Sequence, residues 1–272
     1  YVPDELILSA GFHPMRLFPG GTDTPLADHH LQSYCCAPVR GILEDHLAGR
    51  LDYLSGIVFP QACDTIMRLS DIWRLNASLS FFFDLAWPSC LDTPEAKAYV
   101  ITILERFKTQ LDTAAGNSAD QSSLSSAICL VNTLRRQLGR IYQAAGRMPE
   151  QISSSALSTV IRACMIMDRK RAVQATGELL RAVSEHGSVG PVSGLKPVVL
   201  AGPACDIPGF TRLIDLAGGF VTGDDLCTGQ RWIDGLVDES QAPIEAVADR
   251  YLNRMICPAK HKGLETRHHD LV

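Results

Sequence analysis

Two cysteines stand 27 positions apart in segments built to present a thiol: Cys36 in SYCCAPVRG and Cys63 in GIVFPQACDTIMRLSDIW. The second segment reads as a buried strand, Gly56-Ile57-Val58-Phe59, broken by Pro60. It delivers Cys63-Asp64-Thr65 to the head of a helix beginning around Ile66. The first places Cys36 just ahead of Arg40, Gly41 and a helical pattern through Leu47. A helix N-terminus carries partial positive charge and free N–H groups, so it favours a thiolate over a thiol. Two such positions, each with a cysteine, point to a soft-metal or iron–sulfur site rather than to ordinary core packing.

Other residues compete for chemistry. Cys35 adjoins Cys36, and adjacent cysteines rarely both ligate one ion, so one of the pair is structural or a spare ligand; the preference for Cys36 is slight. Cys205, Cys227 and Cys257 sit beside glycine, proline or acids, and thiolates from strand ends on two domains could meet across a cleft. Cys90, Cys129 and Cys164 fall in or near helical patterns and read as core. Asp224-Asp225 would suit a hard metal, or equally a helix cap or loop acceptor. Gly202-Pro203 and Gly218-Gly219 could let a phosphate approach backbone N–H groups. There is no G-x-G-x-x-G, Walker lysine motif, G-x-S-x-G elbow or H-E-x-x-H. The pairs His29-His30 and His268-His269 read as surface residues, and His13 and His261 as loop residues.

The elements that position these groups alternate. Residues 3–11 form a short helix with a glycine stop, and Pro14–Phe18 reads as a strand. The Cys36 helix, the Ile57–Phe59 strand, the Cys63 helix and a strand within Ser78–Phe83 follow. From Thr93 to about Ser184 the spacing is helical, and His186–Pro191 reads as a linker. A second strand–loop–helix–strand run begins at Lys196 and includes Phe210–Ala217 and Phe220–Thr222. Ligands of such units bind outside the carboxyl ends of the strands, where 202–206 and 223–229 lie. The expected fold is α/β: two Rossmann-like parallel-sheet units with an all-helical insertion between them. The divisions are 1–92, a helical insertion or lid at 93–190, and 191–272.

Composition narrows the function classes. The chain has 272 residues, 46% of them hydrophobic, and a formal net charge of -5, with no basic stripe to neutralise nucleic-acid phosphates. The Asp168–Arg171 run reads as a solvated helix face. No apolar run is long enough to span a bilayer. Nine cysteines, an odd count without a compact framework, speak against secreted disulfides and for a reducing cytoplasm. Tyr1 falls within an apparent motif and Val272 within a helical pattern, so both ends read as cut.

Taken in order, several segments resemble the subunits of 2-hydroxyacyl-CoA dehydratases and the related benzoyl-CoA reductases. They are Pro3–Gly11 with Pro14–Leu17, Cys36-Ala37-Pro38-Val39-Arg40, Val58–Thr65, Gly202–Cys205, Asp224–Arg231, and Arg250-Tyr251 with Cys257-Pro258. The resemblance covers nearly the whole chain and is weakest in the helical block. It implies a [4Fe–4S] cluster held by three cysteines per subunit, with Cys36 and Cys63 matching the first two ligands. The third ligand would lie beyond Val272, because Cys257 matches a different family cysteine. The resemblance further implies a homologous second subunit, an ATP-dependent iron–sulfur activator protein and an acyl-CoA substrate. The chemistry would be either radical dehydration or reduction of an aromatic thioester. A double-cubane reductase and a cluster-free partner subunit are the remaining alternatives.

Overall fold

The computed structural model describes residues 1–77, 79–185, 194–205, 207, 209–254, 257 and 259–260; the expected linker at 186–191, His261 and His268-His269 lie outside them. In chain order the elements are α1 (Asp4–Ser9), a 3₁₀ turn (Ala27–His29), α2 (Ala37–Leu47), β1 (Gly56–Pro60), α3 (Asp64–Asn76), β2 (Phe81–Leu85) and α4 (Pro94–Ala115). Then come α5 (Gln121–Arg147), α6 (Ser154–Ile166), α7 (Arg169–Glu185), β3 (Lys196–Ala201), α8 (Phe210–Leu216), β4 (Gly219–Asp225), α9 (Gln230–Ile233) and α10 (Pro243–Asn253). The chain packs as two units. The first comprises residues 1–13, 17–127 and 237–272, and the second residues 14–16 and 128–236, so the division falls within α5.

In the first unit, β1 and β2 pair in parallel through α3, with Gly56 opposite Phe81 and Pro60 opposite Leu85. A parallel pair needs a crossover, and α3 supplies it. Strand alternation turns Ile57 and Phe59 inward, where they join Val39, Leu43, Leu69 and Trp73 in one apolar cluster. From β2, Phe83 meets Phe107 of α4 with ring centroids 4.8 Å apart. Helix α2 approaches the preceding loop so closely that a Cβ on Gly41 would stand 2.5 Å from Pro19 Cβ.

The second unit repeats the strand–helix–strand arrangement: β3 and β4 pair in parallel through α8, with an irregularity between Val198 and Val199. The start of α6 is held locally. Ser153 Oγ accepts from Ala156 N–H, while Asp215 accepts from Ser154 N–H at 2.8 Å and Ser155 N–H at 3.0 Å. Three helix-start donors that have no partner within the helix are thereby satisfied.

Among the described residues the architecture is α/β with two two-stranded parallel sheets, and the regular elements from Pro94 to Glu185 are all helices. Pro14–Phe18 is not a strand: Arg16 N–H bonds Met165 O at 3.0 Å, and no ladder forms. Proline 14 has no N–H to offer a ladder. The Asp168–Arg171 run is not simply a solvated face. Arg169 is buried and donates to Cys164 O and Met167 O, both at 2.8 Å, because it closes the turn between α6 and α7.

Candidate functional site

Cys36 and Cys63 are the N-cap residues of α2 and α3. Cys36 is extended (φ -62°, ψ 141°), and its carbonyl already accepts from Val39 and Arg40 N–H. Pro38 lies in the first turn, where its fixed φ suits a helix start and its missing N–H costs nothing. Cys63 is likewise extended (φ -151°, ψ 164°), with its carbonyl accepting from Met67 N–H at 3.1 Å. The loop that carries it leaves β1 through Gln61, whose N–H bonds Leu85 O of the neighbouring strand. Neither thiol makes a capping hydrogen bond. Two helix N-termini in one unit therefore present sulfur atoms, and the Val39 N–H of the first turn of α2 acts on that of Cys36.

Charge on Cys63 reaches the Cys36 thiol. Partial burial of the thiol group, in a residue that is otherwise exposed, pushes Cys36 above its ordinary value; the Val39 N–H pulls the other way, and charge on Cys63 pushes it up again. A cation shared between them would reverse that mutual repulsion, because metal coordination deprotonates a thiol outright. Cys36 is exposed and Cys63 half-buried, whereas Cys35 is 3% exposed and packs in the apolar cluster with Val39, Leu43 and Trp73. Among the described residues, no three His, Cys, Asp or Glu side chains converge as a metal-binding group.

The remaining cysteines divide differently. Cys205 and Cys227 belong to the second unit and are half-buried, while Cys257 of the first unit is buried. Cys164 lies in the core, but Cys129 is exposed and Cys90 half-buried, contrary to the sequence reading. The buried stripe of α5 runs through Leu124, Ile128, Val131, Leu134 and Leu138, and Cys129 lies one helical step off it. His13, His29 and His30 are exposed.

At the end of β4 the paired acids serve the fold. Asp224 Oδ1 accepts from Leu226 N–H at 3.0 Å and Gln230 N–H at 2.9 Å, capping α9, and its Oδ2 accepts from Tyr142 Oη at 2.6 Å. Burial raises the Asp224 carboxyl above its usual range, with the Tyr142 hydroxyl acting against it. Asp225 is paired with Arg231, both nearly inaccessible at 0% and 2% exposed. Arg231 also donates to Gly202 O and, at 3.0 Å, to Cys227 Sγ. This leaves Asp224 occupied by protein donors as a helix cap and Asp225 paired with Arg231. Sequence reasoning missed the parts played by Tyr142 and Arg231. The spacing of six residues from Asp225 to Arg231 was readable, whereas nothing local marks Tyr142.

Among the described residues no helix is long and apolar enough to cross a membrane. The chain is 23% identical over 267 residues to the (R)-phenyllactyl-CoA dehydratase beta subunit of Clostridium sporogenes, covering 97% of this chain and 71% of that protein. It is 25% identical over 269 residues to one of the benzoyl-CoA reductase subunits of Thauera aromatica, covering 95% and 68%. It is 26% identical over 228 residues to the beta subunit of (R)-2-hydroxyglutaryl-CoA dehydratase from Acidaminococcus fermentans, covering 83% and 59%. The sequence profile of the 2-hydroxyglutaryl-CoA dehydratase D-component matches residues 1–272, and the chain belongs to that family.

Proposed function

We propose that the chain is the iron–sulfur subunit of a 2-hydroxyacyl-CoA dehydratase-type enzyme, with Cys36 and Cys63 as two ligands of a [4Fe–4S] cluster. The observation that carries this reading is the pair of N-cap cysteines that open α2 and α3 of one unit, with charge on Cys63 acting on the Cys36 thiol. The donor set fits such a group, since clusters of this kind take cysteine thiolates, and a helix start lowers the cost of the thiolate form. A bound cluster supplies low-potential one-electron transfer to the acyl-CoA thioester. The chain's own part is to hold two ligands on rigid helix starts.

Family membership supports an enzyme component with an acyl-CoA substrate, and relatives named as subunits of larger enzymes support a homologous partner chain. An ATP-dependent iron–sulfur activator, a cytoplasmic setting and Rossmann-like completion of the two short sheets belong to the same proposal. A second reading is a benzoyl-CoA reductase-type subunit, favoured by the 25% identity to the Thauera protein over 95% of this chain.

Iron and acid-labile sulfide per chain test the cluster after anaerobic reconstitution. Cys36→Ala and Cys63→Ala should each lose iron, while Cys129→Ala keeps it; retention in both of the first two sinks the ligand assignment. Twice the iron of one cubane would favour a double cubane instead. Assay of the assembled complex with activator, ATP and either a 2-hydroxyacyl-CoA or benzoyl-CoA separates dehydratase from reductase.

A further inference from the structure

Among its described residues, the first unit holds a buried cation whose charge is not met. Arg254 closes α10 as its C-cap residue and is 6% exposed. Its guanidinium lies 4.6 Å from the ring centroid of Tyr1 and 5.4 Å from that of Tyr251. Behind these rings, Trp87 stacks on Tyr251 with centroids 4.7 Å apart and donates its indole N–H to Tyr1 O at 2.8 Å. Among the described residues, Arg254 Nε has no hydrogen-bond partner and no carboxylate pairs with the guanidinium.

Arginine cannot escape burial by losing its proton, as a lysine can. Aromatic faces and the carbonyl end of a helix offset part of the lost hydration, but each is a weak partner beside a full counter-charge. Most buried polar atoms in folded proteins have partners, and an unmatched one is met by a water, an ion or a ligand. A guanidinium is a planar fork of donors that fits two oxygens of one acid group. The aromatic wall fixes the side chain, so little ordering remains to be done on binding.

We propose that Arg254, walled by Tyr1 and Tyr251, is an oxyanion-binding site that takes a carboxylate or phosphoryl group. The site is independent of the cysteine pair and of any cluster bound there.

The test is thermal unfolding of the full chain, followed by tryptophan fluorescence at fixed ionic strength, with sodium chloride exchanged stepwise for sodium phosphate or sodium acetate. The wild type should show a saturable rise in Tm with at least one of the two anions. A phosphate-only response identifies a phosphoryl ligand, and an acetate-only response a carboxylate. Arg254→Met should abolish the response and, in chloride alone, unfold at or above the wild-type temperature, because it removes an uncompensated charge. Should Arg254→Met fail to fold, Arg254→Lys replaces it and should weaken the response about tenfold in half-saturating concentration, as expected when a bidentate fork becomes a point charge. Absence of a saturable rise in the wild type, or a rise unchanged in the variant, overturns the proposal.

Discussion

Tyr142 Oη donates a hydrogen bond to Asp224 Oδ2 across 2.6 Å, joining two residues 82 positions apart in the second unit. The same carboxylate caps α9 through Gln230 N–H. Tyr142→Phe keeps the ring and removes the hydroxyl that meets Oδ2. The expected loss is about 1–3 kcal/mol, the cost of leaving a buried acceptor unmet. Urea unfolding of Tyr142→Phe, Asp224→Asn and the double variant should show strong coupling, and additive losses would remove the bond from the stability account.

The pH dependence of two acids should have opposite signs. Burial raises Asp224 from its ordinary 3.8, so the folded state holds that proton more tightly than the unfolded chain. Its contribution therefore favours folding as pH falls from the raised value to 3.8, and opposes it above. Asp215 runs the other way. Burial alone would raise it, but the Ser154 and Ser155 donors outweigh burial and hold it low. Its stabilisation is present above 3.8 and is lost as pH falls through the depressed folded value. Unfolding of Asp224→Asn and Asp215→Asn from about pH 3 to 7 should shift the wild-type profile in opposite directions.

Gly229 should tolerate no side chain. A Cβ there would stand 2.0 Å from Asp224 Oδ1, within the loop that the carboxylate caps. Gly229→Ala must displace either the cap or the loop and should cost on the order of 1–3 kcal/mol. Chemical denaturation gives the value, and a wild-type midpoint would show that the loop relaxes freely.

Arg231→Met should be among the most damaging single substitutions in the second unit. It leaves Asp225, 0% exposed, without its countercharge. The expected cost is about 3–5 kcal/mol, and Asp225→Asn combined with Arg231→Met should recover part of it. Equal loss in the single and double variants would mean that packing of the arginine, not its charge, holds this end of β4.

The thiol coupling can be read without metal. Burial and the charge of Cys63 both raise the Cys36 thiol. Cys63→Ser removes the second influence, so Cys36 should alkylate faster with iodoacetamide near pH 8, as more of it is thiolate. Site-resolved mass spectrometry follows the rate, and an unchanged rate would separate the two sulfurs electrostatically.

Much of this protein was legible in its residues. Pro38 after Cys36, and the strand broken by Pro60 ahead of Cys63, are local signals, and both cysteines do begin helices, α3 starting at Asp64 rather than Ile66. The four strands of the two parallel pairs were read close to their observed positions because hydrophobic runs between turn residues carry that information. Pro14–Phe18 looked equally strand-like but forms no ladder, since an apolar run does not specify an available neighbour.

The sequence by itself determined roughly where most helices and strands lie and which stretches could present a thiol, because propensity and periodicity act over a few residues. Tertiary structure decided what each side chain meets. It put Cys35 into the core while its neighbour Cys36 became an exposed N-cap. It turned Asp224 from a possible metal ligand into a helix cap by bringing Tyr142 to it. It also left Cys129 outside the buried stripe of its own helix. A period marks the face of an element, but burial and hydrogen bonding depend on the element packed against that face, which the chain brings from far away.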